Sequence, residues 1–378
     1  MKSILIISSQ SFSLYNFRGE LIKDLVDKGC KVICAAPDMS NEITQKLNDL
    51  GASTFKISGN RAKISLIKDI YFFIDIFKLI LKIKPDGILL YFIKPILYGS
   101  IASWLLGVKK RILLIEGMGY VFTENSISVK YLMRPVIRLM YSLAIFFANK
   151  VIVLNDDDRK LISSMTFNKK KIKKIQGIGV DLEKFNSTTF LYNNAQYDFA
   201  YFGRLLKHKG INEIIASIKI LKKEGLSPRV AFYGDVDENP SSFSLDNIYE
   251  WQAKGYIEYC GFTDDVVNEM KKCKILLLPS YREALPRTCQ EAAAMGIPSI
   301  VSDVPGCREV IVNDETGLLV KVKDSYDLAA KMKIYLLDNE LVKKHGKNAI
   351  KRAKDIYDVK KINNDMITFF ESDQLNKR

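Results

Sequence analysis

The chain has 378 residues, 48% hydrophobic and 26% charged, with 21 Gly and 10 Pro; it is neither disordered nor fibrous, and its length suits two domains better than one. Its six cysteines include no Cys-x-x-Cys pair, which argues against a disulfide framework and a thiolate zinc cluster, and His208 and His345 are its two histidines, which rules out a multi-histidine metal site and leaves a histidine triad little to draw on. The net charge of +14 is uneven, because residues 1–185 hold 29 Lys plus Arg against 16 Asp plus Glu while the remainder holds 28 against 27. The N-terminal half should therefore prefer an anionic partner, with nucleic acid and an anionic membrane face as the candidates.

The opening MKSILIISS reads as a buried strand rather than a signal peptide, since its apolar run is short and no small-residue cleavage site follows. Without a disulfide pattern, the thiols are expected reduced and the chain cytoplasmic. A short β-rich run, a loop and a helical stretch then recur, as in parallel βαβ units. The first series of strands is expected at Ser3–Ile7, Lys31–Ala35, Gly87–Phe92, Arg111–Ile115 and Val151–Leu154. The second is expected at Tyr197–Phe202, Arg229–Tyr233, Ile257–Tyr259, Ile275–Pro279, Ser299–Ser302 and Gly317–Val320. The fold class is α/β, with two successive doubly wound sheets. A cluster of Asn, Ser and Thr within Glu183–Gln196 places the boundary, giving domains at 1–185 and 186–355 and a last helical piece at 356–378.

Three segments bear on membranes. Residues 64–83 are mostly apolar, with Lys68, Asp75, Lys78 and Lys82 on a narrow strip and a stop at Lys84-Pro85; residues 127–149 mix Lys130, Arg134 and Arg138 with a broad apolar surface. Each suits either a helix packed on a sheet, the reading we favour, or one lying in the headgroup plane. Residues 87–108 are long enough to span a bilayer, but Lys94-Pro95 interrupts them, and a strand with its crossover fits better.

Two segments carry chemistry. In Tyr201-Phe202-Gly203-Arg204-Leu205-Leu206-Lys207-His208-Lys209-Gly210 a strand ends in Gly, a turn carries the cations Arg204 and Lys209, and a helix starts near Gly210. That arrangement sets a guanidinium and an ammonium against a diphosphate at the carboxyl edge of a parallel sheet. His208 reads as a surface residue of this loop. In Pro279-Ser280-Tyr281-Arg282-Glu283-Ala284-Leu285-Pro286-Arg287-Thr288-Cys289-Gln290-Glu291, Pro286 suits a first helical turn whose amides face an anion. Glu291, farther along that helix, can accept two hydroxyl hydrogen bonds from a ribose. Asp156-Asp157-Asp158 contains an Asp-x-Asp, which is either a metal site or, as we read it between a strand and a helix, helix capping.

GRLLKHKG, the pair Glu283 and Glu291 with seven residues between, and the following AAAMGIPSIVSDVPGCREVIVNDETGLLV resemble the retaining nucleotide-sugar glycosyltransferases of family 4, which have the GT-B fold: two Rossmann-like domains facing across a cleft. The N-terminal half resembles them more loosely, through NFRGELIKDLVDKGCKV, IEGMGYVFTE, VIVLNDDD and QGIGVDLEKF. The nearest likeness is to bacterial enzymes that extend lipid-linked oligosaccharides for capsule, O-antigen or related glycans. The resemblance implies that Arg204 and Lys209 hold the donor diphosphate, that Glu283 contacts the donor sugar and that Glu291 binds the ribose. Gly203, Ala284, Leu285, Arg287 and Thr288 complete the donor contacts, and Phe262, near Gly261–Thr263, lies where the base would be read. Ala284 stands where a glycine is usual. No metal or other cofactor is then required, since fixed cations and helix amides can stabilise the leaving diphosphate.

The same resemblance gives the acceptor to the N-terminal half, with Phe12, Tyr15, Asn16 and Arg18 of a first loop, Ser8–Arg18, meeting a sugar face and a lipid diphosphate. Where many relatives carry a histidine before a Gly-rich turn, this chain has Glu116-Gly117-Met118-Gly119, and Glu116 is either a base that orients the acceptor hydroxyl or a cap of the turn. The last helix is expected to pack back on the first domain. The expected protein is a hexosyltransferase or N-acetylhexosaminyltransferase using a nucleotide sugar, UDP-linked, and a polyprenyl-diphosphate-linked saccharide. It would be peripheral on the inner face of the plasma membrane and bind no nucleic acid, because the cations form no aromatic-basic recognition motif. The rivals are a basic nucleic-acid-binding protein and a GT-B-like epimerase or phosphorylase.

Overall fold

Apolar runs rich in Val, Ile and Leu, buried on both faces, become the central strands of two parallel sheets. The computed structural model describes residues 2–59, 66–117, 129–186, 195–237 and 239–371. The chain divides into two units, one of residues 1–178 with 360–378 and one of residues 179–359.

The first unit contains β1 (Ser3–Ile7), β2 (Lys31–Ala36), β3 (Ser53–Lys56), β4 (Gly87–Tyr91), β5 (Lys110–Ile115), β6 (Lys150–Val153) and β7 (Ile172–Lys174). They pair in parallel in the order β3-β2-β1-β4-β5-β6-β7. Ile4 pairs with Val32 on one side and with Gly87 on the other, so chain order reverses between β1 and β4. The helices are α1 (Ser11–Asp27), α2 (Asn41–Asp49), α3 (Leu66–Ile83), α4 (Ser100–Leu105), α5 (Val129–Phe147) and α6 (Asp156–Ser163). Residues 87–108 are β4, a wide helical turn over Pro95–Gly99 and α4, and among the described residues no helix is long and apolar enough to cross a membrane.

α3 and α5 each pack one face on the sheet: Phe72, Ile76 and Ile80, with Tyr141, Ala144 and Ile145, meet Leu5, Ile88, Leu90 and Leu113. Residues 64, 65, 127 and 128 of the two segments lie outside the described residues. The carbonyl end of α5 is closed by two cations, the buried Lys171 and the half-buried Arg111. Lys171 Nζ donates to Ile145 O at 2.5 Å and Arg111 Nε to Phe147 O at 2.6 Å, where the helix dipole favours positive charge. Burial lowers the pKa of both.

The second unit contains β8 (Tyr197–Phe202), β9 (Val230–Tyr233), β10 (Glu258–Gly261), β11 (Cys273–Leu278), β12 (Ser299–Ser302) and β13 (Gly317–Val320), all parallel in the order β10-β9-β8-β11-β12-β13. Phe199 pairs with Ile275, so order reverses between β8 and β11. Its helices are α7 (Ile211–Lys223), α8 (Leu245–Ala253), α9 (Val266–Met270), α10 (Arg287–Ala294), α11 (Cys307–Val310), α12 (Ser325–Leu337) and α13 (Asn339–Arg352).

The division falls at 178/179 and 359/360, not at 185/186 and 355/356. The two connecting segments pair with each other, Val180 N donating to Tyr357 O at 2.8 Å and Val359 N to Val180 O at 3.1 Å. That draws 179–185 into the second unit. Residues 187–194 of the expected boundary lie outside the described residues. The last helix, α14 (Val359–Glu371), lies from Lys360 onward in the first unit. There Asn363 Nδ2 donates to Asp24 Oδ2 at 2.7 Å. Phe370 fills the space beside Gly87, where a Cβ would meet its ring at 2.8 Å.

Candidate functional site

Where strand order reverses in an open parallel sheet, the loops leaving the carboxyl ends part and leave a crevice. In the second unit that point is between β8 and β11, and the two motif segments leave from those strands. The strand ends meet backbone to backbone. Gly203 N donates to Tyr233 O at 2.9 Å, and a Cβ on Gly234 would stand 1.9 Å from Gly203 O. Arg204, half-exposed, has Nη1 2.8 Å from Asp237 Oδ2, and its carbonyl accepts from Tyr201 Oη at 2.6 Å. Leu205 and Leu206 are fully buried and pin the turn. A single tight helical turn, Lys207–Lys209, leads to Gly210. Its φ is +79°, and a Cβ there would lie 2.1 Å from Pro279 O, so only glycine lets α7 start this close to the end of β11.

From β11, Tyr281 N donates to His208 O at 2.9 Å. Glu283 Oε1 stands 2.5 Å from Lys209 Nζ, with both side chains mostly buried. Glu283 N donates to Pro305 O at 3.3 Å. Two of the expected donor-contacting residues therefore touch. Pro286 is the N-cap of α10 rather than a residue of its first turn and supplies no side-chain cap; Arg287 and Thr288 open the helix, whose first N–H groups point along the axis in a geometry that suits an anion. Leu285 is buried. Glu291 is buried one turn later and pairs with Arg287 Nε at 2.8 Å. Burial raises its pKa, and Arg287 opposes the rise.

Phe262 stands exposed just past β10, two strands from β8 and so roughly 10 Å across the sheet. His208 Nδ1 lies 3.3 Å from Ser241 Oγ. In the acidic triplet, Asp156 pairs with Lys174 at 2.6 Å, and Asn155, the N-cap of α6, accepts from Asp158 N at 2.7 Å; the capping is done by the residue before the triplet.

In the first unit the loop after β1 is residues 8–10, not Ser8–Arg18. Ser11 opens α1, its N donating to Asp38 Oδ1 at 2.6 Å and its Oγ to Asp38 O at 2.9 Å. Phe12, Tyr15, Asn16 and Arg18 thus lie on helical turns. Phe12 is exposed and meets Phe17 edge-on at 6.1 Å. Lys46 Nζ faces the Tyr15 ring at 5.4 Å. Asn16 Nδ2 donates to Phe12 O at 3.1 Å. Arg18 is buried, lies 5.1 Å from the Tyr91 ring centroid and pairs with Glu116 at the end of β5. Two residues assigned separate tasks form one ion pair, which engages the Glu116 carboxylate. Met118 and Gly119 of the expected turn lie outside the described residues.

The sequence reading did not single out Asp237, Gly234, or the hydrogen bond from Tyr281 Oη to Glu213 Oε1 at 2.9 Å. Only Gly234 had a signal: FYGD closes β9 as YFGR closes β8.

Residues 185–352 match the family described as glycosyl transferases group 1, and residues 3–155 match glycosyl transferase 4-like. Over 358 residues the chain is 30% identical to the N,N'-diacetylbacillosaminyl-diphospho-undecaprenol alpha-1,3-N-acetylgalactosaminyltransferase of Campylobacter jejuni, covering 92% of this chain and 93% of that protein. The chain belongs to the group 1, family 4-like glycosyltransferases. This glycosyltransferase is also 27% identical over 304 residues to the UDP-Gal:alpha-D-GlcNAc-diphosphoundecaprenol alpha-1,3-galactosyltransferase of Escherichia coli, covering 75% of each. Among solved structures, Anabaena Alr3699/HepE in complex with UDP and glucose matches with a TM-score of 0.79 at 17% identity, covering 98% of this chain and all of that one. The glycosyltransferase is thus a hexosyltransferase with the two parallel-sheet units of the GT-B fold.

Proposed function

We propose that the protein is a retaining transferase that moves a hexose or N-acetylhexosamine from a UDP-sugar to a polyprenyl-diphosphate-linked saccharide in bacterial surface-glycan synthesis. The observation that carries this reading is the contact of Lys209 with Glu283 at the strand reversal of the second unit, beside Arg204 and the open end of α10. The acceptor hydroxyl oxygen bonds to the anomeric carbon as the bond from that carbon to the diphosphate oxygen breaks. UDP leaves with the electron pair, and the hydroxyl proton is lost. Arg204, Lys209 and the first-turn amides of α10 meet the charge that develops on the diphosphate, which is the task a divalent metal performs elsewhere. Glu283 faces the sugar, and Glu291 accepts from the ribose hydroxyls. The lipid diphosphate and the α-1,3 products named for the two curated relatives support the acceptor class and, with an α-linked donor, retention.

The test is a panel of UDP-sugars offered to the full chain with an undecaprenyl-diphosphate saccharide in excess chelator. Turnover of one UDP-hexose or UDP-N-acetylhexosamine, undiminished by the chelator, is expected. Activity lost in chelator and restored by a divalent ion would overturn the metal-free step, and transfer to free saccharide but to no lipid-linked one would overturn the acceptor class.

The acceptor requires a membrane. On the outer face of α5, Val136, Leu139, Leu143 and Phe146 are exposed at 56%, 62%, 47% and 72%, recurring every three to four residues as one stripe. Arg134 and Arg138 share the helix, and Trp104 reaches the same end through Phe147, 4.7 Å between rings. Apolar insertion flanked by cations suits an anionic bilayer surface. L139E with L143E should release the protein from phosphatidylglycerol vesicles in sedimentation while sparing UDP binding; unchanged sedimentation would refute this docking face.

A further inference from the structure

Lysine and glutamate side chains can pair across a range of backbone separations, so the contact between Lys209 and Glu283, 74 residues apart, does not itself fix the distance between the two arms of the donor site. Tyr281 does so at two points. Its backbone N donates to His208 O at 2.9 Å, next to Lys209, and its hydroxyl donates to Glu213 Oε1 at 2.9 Å, in the first turn of α7. Lys323 Nζ covers the ring at 4.9 Å. One residue therefore clasps the basic turn on both sides of Lys209 while standing two positions before Glu283.

An acid in a first helical turn ordinarily serves the helix dipole from solvent. Glu213 is instead buried, with 9% exposure, and its Oε2 is enclosed without a hydrogen-bond partner among the described residues. A carboxylate kept at that cost holds its place through what it anchors.

We propose that Tyr281 is a positioning residue for the nucleotide sugar, acting through Lys209 and Glu283 and anchored by Glu213. This rests on the donor reading above. Tyr281→Phe keeps the ring and the backbone bond and removes only the hydroxyl. It should weaken UDP binding, followed by calorimetry, and lower donor kcat/KM by about tenfold, leaving the KM for the acceptor unchanged. Glu213→Gln, whose amide oxygen still accepts the hydroxyl bond, should behave as wild type. Glu213→Leu should match Tyr281→Phe, and the double variant should be no worse than either single one. A fall in thermal stability with UDP affinity and donor kcat/KM intact in both Tyr281→Phe and Glu213→Leu would make the clasp merely structural and overturn the proposal. Wild-type protein that fails to bind UDP would instead overturn the donor reading, and this inference with it.

Discussion

Replacing Lys209 with methionine is expected to lower kcat/KM for the nucleotide sugar by about 10²–10³-fold while leaving the protein folded. At the strand reversal the ammonium offsets the Glu283 carboxylate at 2.5 Å, and in the proposed donor site it also faces the place where the diphosphate charge grows. A charge-assisted contact of this kind contributes about 1.5–3 kcal/mol, or about 10–150-fold. Methionine also leaves the carboxylate facing the donor without its partner, which adds repulsion toward a diphosphate. Arg204→Met should cost less, about tenfold, because that guanidinium is 49% exposed and water screens its pairing with Asp237. The double variant Lys209→Met, Glu283→Gln separates the two tasks. If the lysine only restrained Glu283, neutralising both would return activity to that of Glu283→Gln alone; if it holds diphosphate, the double variant stays below it. Wild-type kinetics in Lys209→Met would remove the basis of the donor site.

The central strands were legible because β-branched runs buried on both faces leave an unbroken apolar signal. β3 (STFK) and β7 (IKK) left none. Both are the outermost strands of their sheet, where short length and lysine guard an open edge and erase the pattern at the same time. The start of α1 was missed for a different reason: its first N–H, that of Ser11, bonds to Asp38, 27 residues away, rather than to a nearby cap. The candidate site could be read because each half lies within one short segment directly after a strand. The long-range pairs could not. Arg204 with Asp237, Tyr281 with Glu213, and Arg18 with Glu116 are 33, 68 and 98 residues apart, and nothing local marks them as partners.

Gly306→Ala should reduce kcat by about 100-fold through the backbone alone. Gly306 has φ +80°, and a Cβ there would stand 2.4 Å from Glu283 O and 2.6 Å from Ala284 O. No side-chain rotation relieves a clash with carbonyls. The loop bearing Glu283 must therefore retreat by about an ångström, a displacement that commonly costs a reaction two orders of magnitude. The positive φ adds about 1–3 kcal/mol of instability for alanine, and this must be separated from the kinetic effect. Gly225→Ala provides the comparison: its φ is +81°, yet nothing lies within 4 Å of the added Cβ, so an alanine is forced to positive φ without a displaced loop. Steady-state kinetics and thermal unfolding of both variants should show stability lowered in each, with activity lost in Gly306→Ala alone. If Gly306→Ala turns over as Gly225→Ala does, the placement of Glu283 does not limit the reaction.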